Sequence, residues 1–177
     1  MSLAFLYPGQ GSQSVGMGAE LFDRFPDCVE MAEQELGYSL ARLCLDDPDG
    51  KLAQTEFTQP ALYLVSYLQA RALLESGCSP SSAAGHSVGE FAALATAGAM
   101  SFPDGLRMVA KRGEIMSKVR GGGMAAVIGL EEPLVRETLA SASADEIDLA
   151  NFNSPGQIVI SGPAARIEET LEPLKAA

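Results

Sequence analysis

The feature that most constrains this chain is the hexapeptide GHSVGE at positions 85–90. It contains the spacing Gly-x-Ser-x-Gly, centred on Ser87. In this spacing the small neighbours allow a sharp turn between a strand and a helix, which presents the serine hydroxyl at the end of a sheet. Strong helix formers follow at positions 90–95. The motif predicts a strand–turn–helix unit. A glycine-rich turn with an uninvolved serine is the alternative that the pentapeptide alone leaves open.

Five further segments resemble segments of one family, and they occur in the same order. They are PGQGSQ (8–13), TQPAL (58–62), KRG (111–113), MAAVIGL (124–130) and NFNSPGQ (151–157). Together with the hexapeptide they resemble the malonyl-CoA:acyl carrier protein transacylase family, from Leu3 to about Gly162. Val88, directly after the serine, resembles the form of the motif in malonyl-selecting members. Several matches in one order are far more specific than any single motif.

The resemblance implies an α/β fold with two subdomains. Residues 1–120 are expected to form the N-terminal part of an α/β hydrolase-like large subdomain, which is incomplete here because the family completes it with later sequence. The pattern over residues 124–177 predicts β-α-β-β-α, an inserted ferredoxin-like small subdomain whose last strand is missing. The glycines at 121–123 predict a hinge between the two. A further polypeptide segment, in the same or a second chain, is therefore expected to complete the fold.

Hydrophobic periodicity and turn residues predict the individual elements. A helix is predicted from Pro60 to Ser76, with the proline in its first turn and Gly77 as its stop. A second is predicted from Pro103 to about Val119. The other predictions are strands at 3–7, 82–84, 124–130, 146–150 and 157–161 and helices at 20–36, 132–141 and 164–175.

Ser87 is the predicted nucleophile. A serine hydroxyl is a poor nucleophile at neutral pH and needs a base within hydrogen-bond reach. The only histidine is His86, and neighbours on such a turn project in different directions, so we expect its imidazole to have a structural role. The resemblance implies a catalytic histidine in later sequence. Catalysis by these 177 residues alone is therefore not expected.

The oxyanion hole is predicted at two backbone positions. In enzymes with this turn, one donor is the N–H of the residue after the nucleophile, here Val88. The resemblance places the second at Gln10, in the glycine-rich loop after the first strand, where glycines let the backbone approach a developing charge. A dinucleotide-binding fingerprint starting at Gly9 is the alternative, but its third glycine is missing.

Arg112 is the predicted substrate-binding residue. Helical geometry places it among apolar residues, where an arginine is costly unless it is paired. A guanidinium facing a pocket can grip a carboxylate with two parallel hydrogen bonds, and a malonyl thioester carries a free carboxylate. The resemblance implies the same role. A structural ion pair inside the fold is the alternative. The residues nearest to Arg112 around the predicted helix are Met108, Val109, Ile115, Met116 and Val119.

Two further substrate-binding residues, Gln59 and Asn153, follow from the resemblance alone. The alternatives without a binding role are a position in the first turn of a helix for Gln59 and a position in an Asn-Ser-Pro-Gly turn for Asn153.

The reaction that the resemblance implies moves malonyl from CoA to the phosphopantetheine thiol of an acyl carrier protein through an acyl-serine. It needs no metal and no permanently bound cofactor, since CoA enters as the thioester substrate. The rival functions are an acyl-thioester hydrolase of the same fold and a non-catalytic fragment that only binds a carrier or partner.

Charge and composition limit the classes of partner that this chain can have. The net charge of −11 and the absence of tryptophan argue against nucleic acid. No stretch approaches the roughly 20 apolar residues of a membrane helix, and no signal peptide is recognisable. Three widely spaced cysteines form no metal or disulfide pattern, which favours a cytoplasmic setting. Four basic residues could meet an acidic carrier protein or simply form a solvated helix face: Arg107, Lys111, Lys118 and Arg120.

Overall fold

Two short parallel strands organise the first part of the chain in the computed structural model, which describes residues 2–177. Strand β1 (Ala4–Tyr7) pairs with β2 (Ser82–Gly85) without a register shift. Because the strands are parallel, the loops that follow them lie at the same edge of the sheet. This first compact unit extends to Lys118, and the remaining residues form a second unit.

Within residues 2–118, six helices accompany the two strands, and the longest has a stretch that is buried on all sides. Every residue from 58 to 66 is buried, and such a run means that the helix has no solvent face over this stretch. This helix packs against the two helices that follow it. The helices are α1 (Ala19–Phe22), α2 (Pro26–Leu36), α3 (Leu40–Asp46), α4 (Thr55–Glu75), α5 (Gly89–Thr96) and α6 (Phe102–Lys118). None of the helices in residues 2–177 is both long and apolar enough to cross a bilayer.

The predicted start of the long helix was wrong. Helix α4 begins at Thr55, so Pro60 lies inside the helix and not in its first turn. Proline fits helical φ, and its missing N–H removes only one bond of the helical ladder. The Thr58 hydroxyl supports the first turn by donating to the carbonyl of Leu52 at 2.6 Å and to that of Gln54 at 3.0 Å. The first turns of the helix are thereby tied to the segment that precedes it.

The second unit is a three-stranded antiparallel sheet with two helices. Its elements are β3 (Gly122–Ile128), α7 (Glu132–Ser141), β4 (Asp148–Ser154), β5 (Gln157–Pro163) and α8 (Ala164–Ala176). The strand order is β3-β5-β4, and β5 is antiparallel to both neighbours. A separate core joins the sheet to the helices through Val127, Val135, Ile158, Ile160 and Ile167. The element order is the β-α-β-β-α that the sequence pattern predicted.

Two positions in this unit lie in strands and not in connecting segments. Gly122 and Gly123, which the sequence placed in a hinge, pair with the end of β5 and begin the strand β3. Asn153 lies in β4, so the alternative of an Asn-Ser-Pro-Gly turn does not hold at this residue. The two residues Pro155 and Gly156 suffice to connect β4 to β5, since Gly156 adopts a positive φ of 68° and the pairing resumes directly beyond it.

Candidate active site

Ser87 stands on the turn between β2 and α5 with a φ of 53°, a conformation that few residues other than glycine adopt. The two glycines of the motif make this turn possible. A Cβ atom on Gly85 would overlap the backbone of Gly89 and Glu90, and a Cβ on Gly89 would overlap the carbonyl oxygen of Tyr7. The strand and the helix therefore approach each other more closely than any side chain would allow. This is the arrangement that the hexapeptide predicted.

Backbone hydrogen bonds hold the turn in place. The N–H of His86 donates to the carbonyl of Tyr7 at 2.9 Å, and the N–H of Gly89 donates to the carbonyl of His86 at 3.0 Å. Val88 is the N-cap of α5 and is 1% exposed, so its side chain anchors the turn in the core. An N-cap N–H takes no part in the helical bond ladder. The N–H of Val88 therefore lies next to Ser87, at the N-terminal end of α5.

The glycine-rich loop after β1 contacts both the turn and helix α4. A Cβ on Gly9 would lie 2.5 Å from Nδ1 of His86, so the imidazole packs directly against this glycine. The Ser12 hydroxyl closes the loop by donating to the Gly9 carbonyl at 2.8 Å. The Gln10 amide donates to the Thr55 hydroxyl at 3.1 Å. Gln10 therefore lies on a loop held between the serine turn and the start of α4.

Arg112 connects Ser87 to Gln59. Its Nη2 donates to Ser87 Oγ at 2.9 Å and its Nη1 donates to Gln59 Oε1 at 2.8 Å. Gln59 is fully buried in α4, and its Nε2 donates to the Met116 thioether at 3.2 Å. The structure thus brings three of the predicted site residues into one hydrogen-bonded chain. The sequence did not identify Met116 as the partner of Gln59. Its place one helical turn beyond Arg112 was the available signal.

The surroundings of Arg112 are more open than the apolar pattern indicated. Val109 is buried, but Met108, Ile115 and Met116 are 51%, 55% and 42% exposed. The alternative of a structural ion pair is not realised within residues 2–177, where no carboxylate lies within salt-bridge distance of this guanidinium. The two partners of the Arg112 guanidinium are therefore neutral groups, the Ser87 hydroxyl and the Gln59 amide.

Asn153 belongs to the second unit, on β4, where its side chain is exposed. Ser87, Val88, Gln10, Gln59 and Arg112 all belong to the first unit. The substrate-binding role of Asn153 therefore stays a prediction, based on the resemblance alone.

The basic residues of α6 are largely paired with carboxylates. Arg107 contacts Glu35 at 3.2 Å and also Asp104. Lys111 and Lys118 both pair with Glu114, and their hydrogen bonds lower the pKa of that carboxyl to about 2. This helix face is therefore less positive than its run of lysines and arginines suggests.

The cysteines show no metal or redox arrangement in the part of the chain that the structure describes. Cys28 and Cys44 are buried and Cys78 is half-buried, and all three are free thiols. Burial raises the pKa of the Cys44 thiol to about 12. Between residues 2 and 177, no cluster of three or more His, Cys, Asp or Glu side chains could hold a metal ion.

Comparison with known proteins identifies the family. The sequence profile described as "Acyl transferase domain" matches residues 4–177, nearly the whole chain. The chain belongs to the acyl transferase domain family. Within this family it is 58% identical over 165 residues to the "Polyketide biosynthesis protein ThaF" of Burkholderia thailandensis, covering 93% of this chain and 14% of that protein. It is 49% identical to the "Polyketide biosynthesis malonyl CoA-acyl carrier protein transacylase BaeC" of Bacillus velezensis, covering 94% of this chain and 58% of BaeC.

Solved structures of acyl transferases share the α/β fold. A malonyl CoA-acyl carrier protein transacylase from Burkholderia pseudomallei is 48% identical with a TM-score of 0.88, covering 95% of this chain and 58% of that one. A malonyl-transacylase solved in complex with its type II polyketide synthase acyl carrier protein is 37% identical with a TM-score of 0.89, covering 99% of this chain and 60% of that one. The acyl transferase chain described here thus spans at most three fifths of the length of these four relatives.

Proposed function

We propose that this chain is the N-terminal part of a malonyl-CoA:acyl carrier protein transacylase that serves polyketide biosynthesis. The observation that carries the proposal is the hydrogen bond from the Arg112 guanidinium to the Ser87 hydroxyl on its sharp turn. A nucleophile beside an arginine without a carboxylate partner suits an acyl donor that brings its own carboxylate. The names of ThaF and BaeC support the polyketide pathway.

In the first half-reaction Ser87 Oγ attacks the thioester carbonyl carbon of malonyl-CoA. The new O–C bond forms as the serine proton passes to a base, and the carbonyl oxygen becomes an oxyanion. We assign the backbone N–H groups of Val88 and Gln10 as its donors, because both lie on segments packed at the serine turn. The C–S bond then breaks, and the CoA thiol leaves with the proton that the base returns.

In the second half-reaction the phosphopantetheine thiol of the carrier attacks the malonyl ester on Ser87. The thiol proton passes to the base and then to the departing serine oxygen, so the enzyme is regenerated. Arg112 holds the malonyl carboxylate in both halves, with Gln59 orienting the guanidinium. A thioester hydrolase for neutral acyl groups has no use for this cation, which favours the transferase.

The base belongs, in this proposal, to sequence beyond the 177 residues. His86 has its imidazole packed against Gly9 and its backbone committed to the turn, which suits a structural role. The chain covers only 58% of BaeC, so the relatives contain a large further segment. A histidine of that segment is the expected proton acceptor for Ser87.

The same segment would complete the fold. Parallel sheets occur with more strands and with both faces covered, yet β1 and β2 pair alone and Leu6 of β1 is 78% exposed. We therefore assign the first unit to an α/β hydrolase-like large subdomain. The second unit has the β-α-β-β-α order of a ferredoxin-like fold without its last strand, which we place beside the free edge of β3.

Malonyl-CoA and an acyl carrier protein are the proposed partners, and the role of Asn153 in substrate binding stays a prediction. The complex of a related transacylase with a carrier protein supports the second partner. No permanently bound cofactor is part of the proposed chemistry. The cytoplasmic location stays a prediction.

Trapping of the acyl-enzyme tests the proposal. The parent polypeptide is incubated with malonyl-CoA, digested, and its peptides are mapped by mass. We expect the malonyl adduct on the peptide that contains Ser87 and none in a Ser87→Ala variant. An adduct on another residue, or no adduct in a folded parent protein, would contradict it.

A further inference from the structure

We propose that the contact between Arg112 and Ser87 is itself a specificity device. In the resting site Arg112 holds the Ser87 hydroxyl in a less reactive state, and only an acyl donor with a carboxylate draws the guanidinium away. Selection for such donors then acts on the reactivity of the nucleophile and not on binding alone. This inference rests on the proposed acyl transfer at Ser87.

The position of the guanidinium is set from the side away from Ser87. Gln59 is fully buried, accepts from Arg112 Nη1 at 2.8 Å and donates to Met116 at 3.2 Å, so its amide has little freedom to turn. A guanidinium is planar and rigid, and fixing Nη1 also restricts Nη2. Nη2 is thereby held 2.9 Å from the Ser87 oxygen.

This hydrogen bond weakens the serine as a nucleophile. Attack on a thioester uses a lone pair of the neutral hydroxyl oxygen, and a cationic donor withdraws electron density from that oxygen. The glycines on both sides fix the backbone of the turn, so the Cβ of Ser87 keeps its place beside the guanidinium. The resting contact is therefore expected to persist until a stronger acceptor arrives.

A carboxylate is that stronger acceptor. Hydrogen bonds between two charged groups are shorter and stronger than those to a neutral hydroxyl. No carboxylate of residues 2–177 pairs with Arg112, so nothing in the described chain competes for this position. A malonyl group supplies the carboxylate and releases Ser87, whereas a neutral acyl group leaves the contact in place.

The opposite effect is the physical alternative. A nearby cation also stabilises a serine alkoxide, and in that case Arg112 would activate Ser87. The two ideas predict opposite changes in reactivity when the arginine is removed. A reagent without a carboxylate separates them, because it cannot bind Arg112 as a substrate does.

The experiment measures how fast phenylmethanesulfonyl fluoride, a small neutral reagent, modifies Ser87 in the parent polypeptide. An Oγ–S bond forms as the S–F bond breaks, and fluoride and the serine proton leave, so the gain in intact mass gives the rate directly. We expect Arg112→Met to react about 10- to 20-fold faster than wild type, at the lower end of the roughly 10- to 100-fold effect of a hydrogen bond to a charged group. The control Arg107→Met removes an exposed arginine of the same helix and should react at the wild-type rate.

A second variant guards against misfolding of the first. In Gln59→Glu the new carboxylate draws the guanidinium toward position 59 while Arg112 stays in place. This variant should also react faster with the neutral reagent, yet form less malonyl adduct from malonyl-CoA. If thermal unfolding of Arg112→Met is not cooperative, that variant is misfolded, and the reaction rate of Gln59→Glu tests the inference instead. Rates at or below wild type in the folded variants would overturn the inference. A wild-type protein that reacts with the reagent but forms no malonyl adduct would instead contradict the proposed function.

Discussion

The backbone of Gly89 lies directly against the carbonyl oxygen of Tyr7, so the first turn of α5 rests on the end of β1. Tyr7 also accepts the N–H of His86 and donates its hydroxyl to Thr96 at 2.8 Å, at the other end of α5. The strand, the serine turn and the helix are thereby joined through one residue. Ser87 keeps its unusual backbone conformation because both sides of the turn are fixed.

Gly89→Ala is therefore expected to damage both the fold and the site. The added methyl would overlap backbone atoms, which cannot move aside as a flexible side chain can. We expect a loss of about 1–3 kcal/mol or more in unfolding free energy, typical of overpacking, measured by urea denaturation. The matched control is Gly122→Ala, whose methyl would have its nearest neighbour, a Val119 carbon, at an ordinary 3.4 Å. Equal stability of the two variants would contradict the close approach.

The serine turn could be predicted from sequence because it depends on local constraints. Two glycines around Ser87 have one main physical use, which is a close approach of strand and helix, and the structure shows that approach at Gly85 and Gly89. The ends of the elements were less predictable. Pro60 marks a helix start by local rules, but the helix begins earlier, at Thr55, and the proline lies inside it.

The partners of Arg112 could not be derived from spacing. Gln59 is 53 residues away and Ser87 is 25 residues away, and such pairing depends on how α4, α6 and the serine turn pack. Helical periodicity correctly placed Arg112 among apolar residues, but it cannot say what covers that face. The contact of Gln59 with Met116 shows the same limit, since helical spacing places Met116 beside Arg112 but cannot bring Gln59 to it.

Removing the guanidinium should change substrate choice. In the parent protein, Arg112→Ala is expected to reduce acyl-enzyme formation from malonyl-CoA and to leave it unchanged or faster from acetyl-CoA. The loss of a charge-assisted hydrogen bond is worth roughly 1.5–3 kcal/mol, or about 10- to 100-fold. Single-turnover mass spectrometry with each donor measures both rates. Equal losses with the two donors would show that Arg112 only supports the fold.

The buried thiol of Cys44 should make stability fall at alkaline pH. Burial raises its pKa from 9.0 to about 12, so the folded state holds the proton more tightly than the unfolded chain does. This contribution is fully present below about pH 9 and is lost as the pH rises toward 12. We expect about 1 kcal/mol less unfolding free energy at pH 10 than at pH 8.

The variant Cys44→Ala separates this effect from the background. It should be less stable than wild type at every pH, because a buried side chain is shortened, but it should lose less stability between pH 8 and pH 10. The control Leu40→Ala also shortens a fully buried side chain nearby in α3 and carries no titrating group. It should keep the wild-type pH dependence. The same pH dependence in all three proteins would rule out the thiol as its source.

The 177 residues alone are expected to lack transacylase activity and to associate. Leu6 on β1 and Ile128 on β3 are 78% and 73% exposed, and both strands have a free edge. Exposed apolar strands with unpaired edges are sites of aggregation.

Light scattering and the transfer of malonyl to a phosphopantetheinylated carrier protein should be compared between this chain and the parent polypeptide. Adding the remaining segment as a separate polypeptide should restore both a monodisperse solution and the transfer of malonyl. In a crystal of the parent protein, further polypeptide should cover both strands. A monodisperse 177-residue chain that transfers malonyl at the parent rate would refute this expectation, and the proton acceptor would then have to be His86 or a carboxylate such as Glu90.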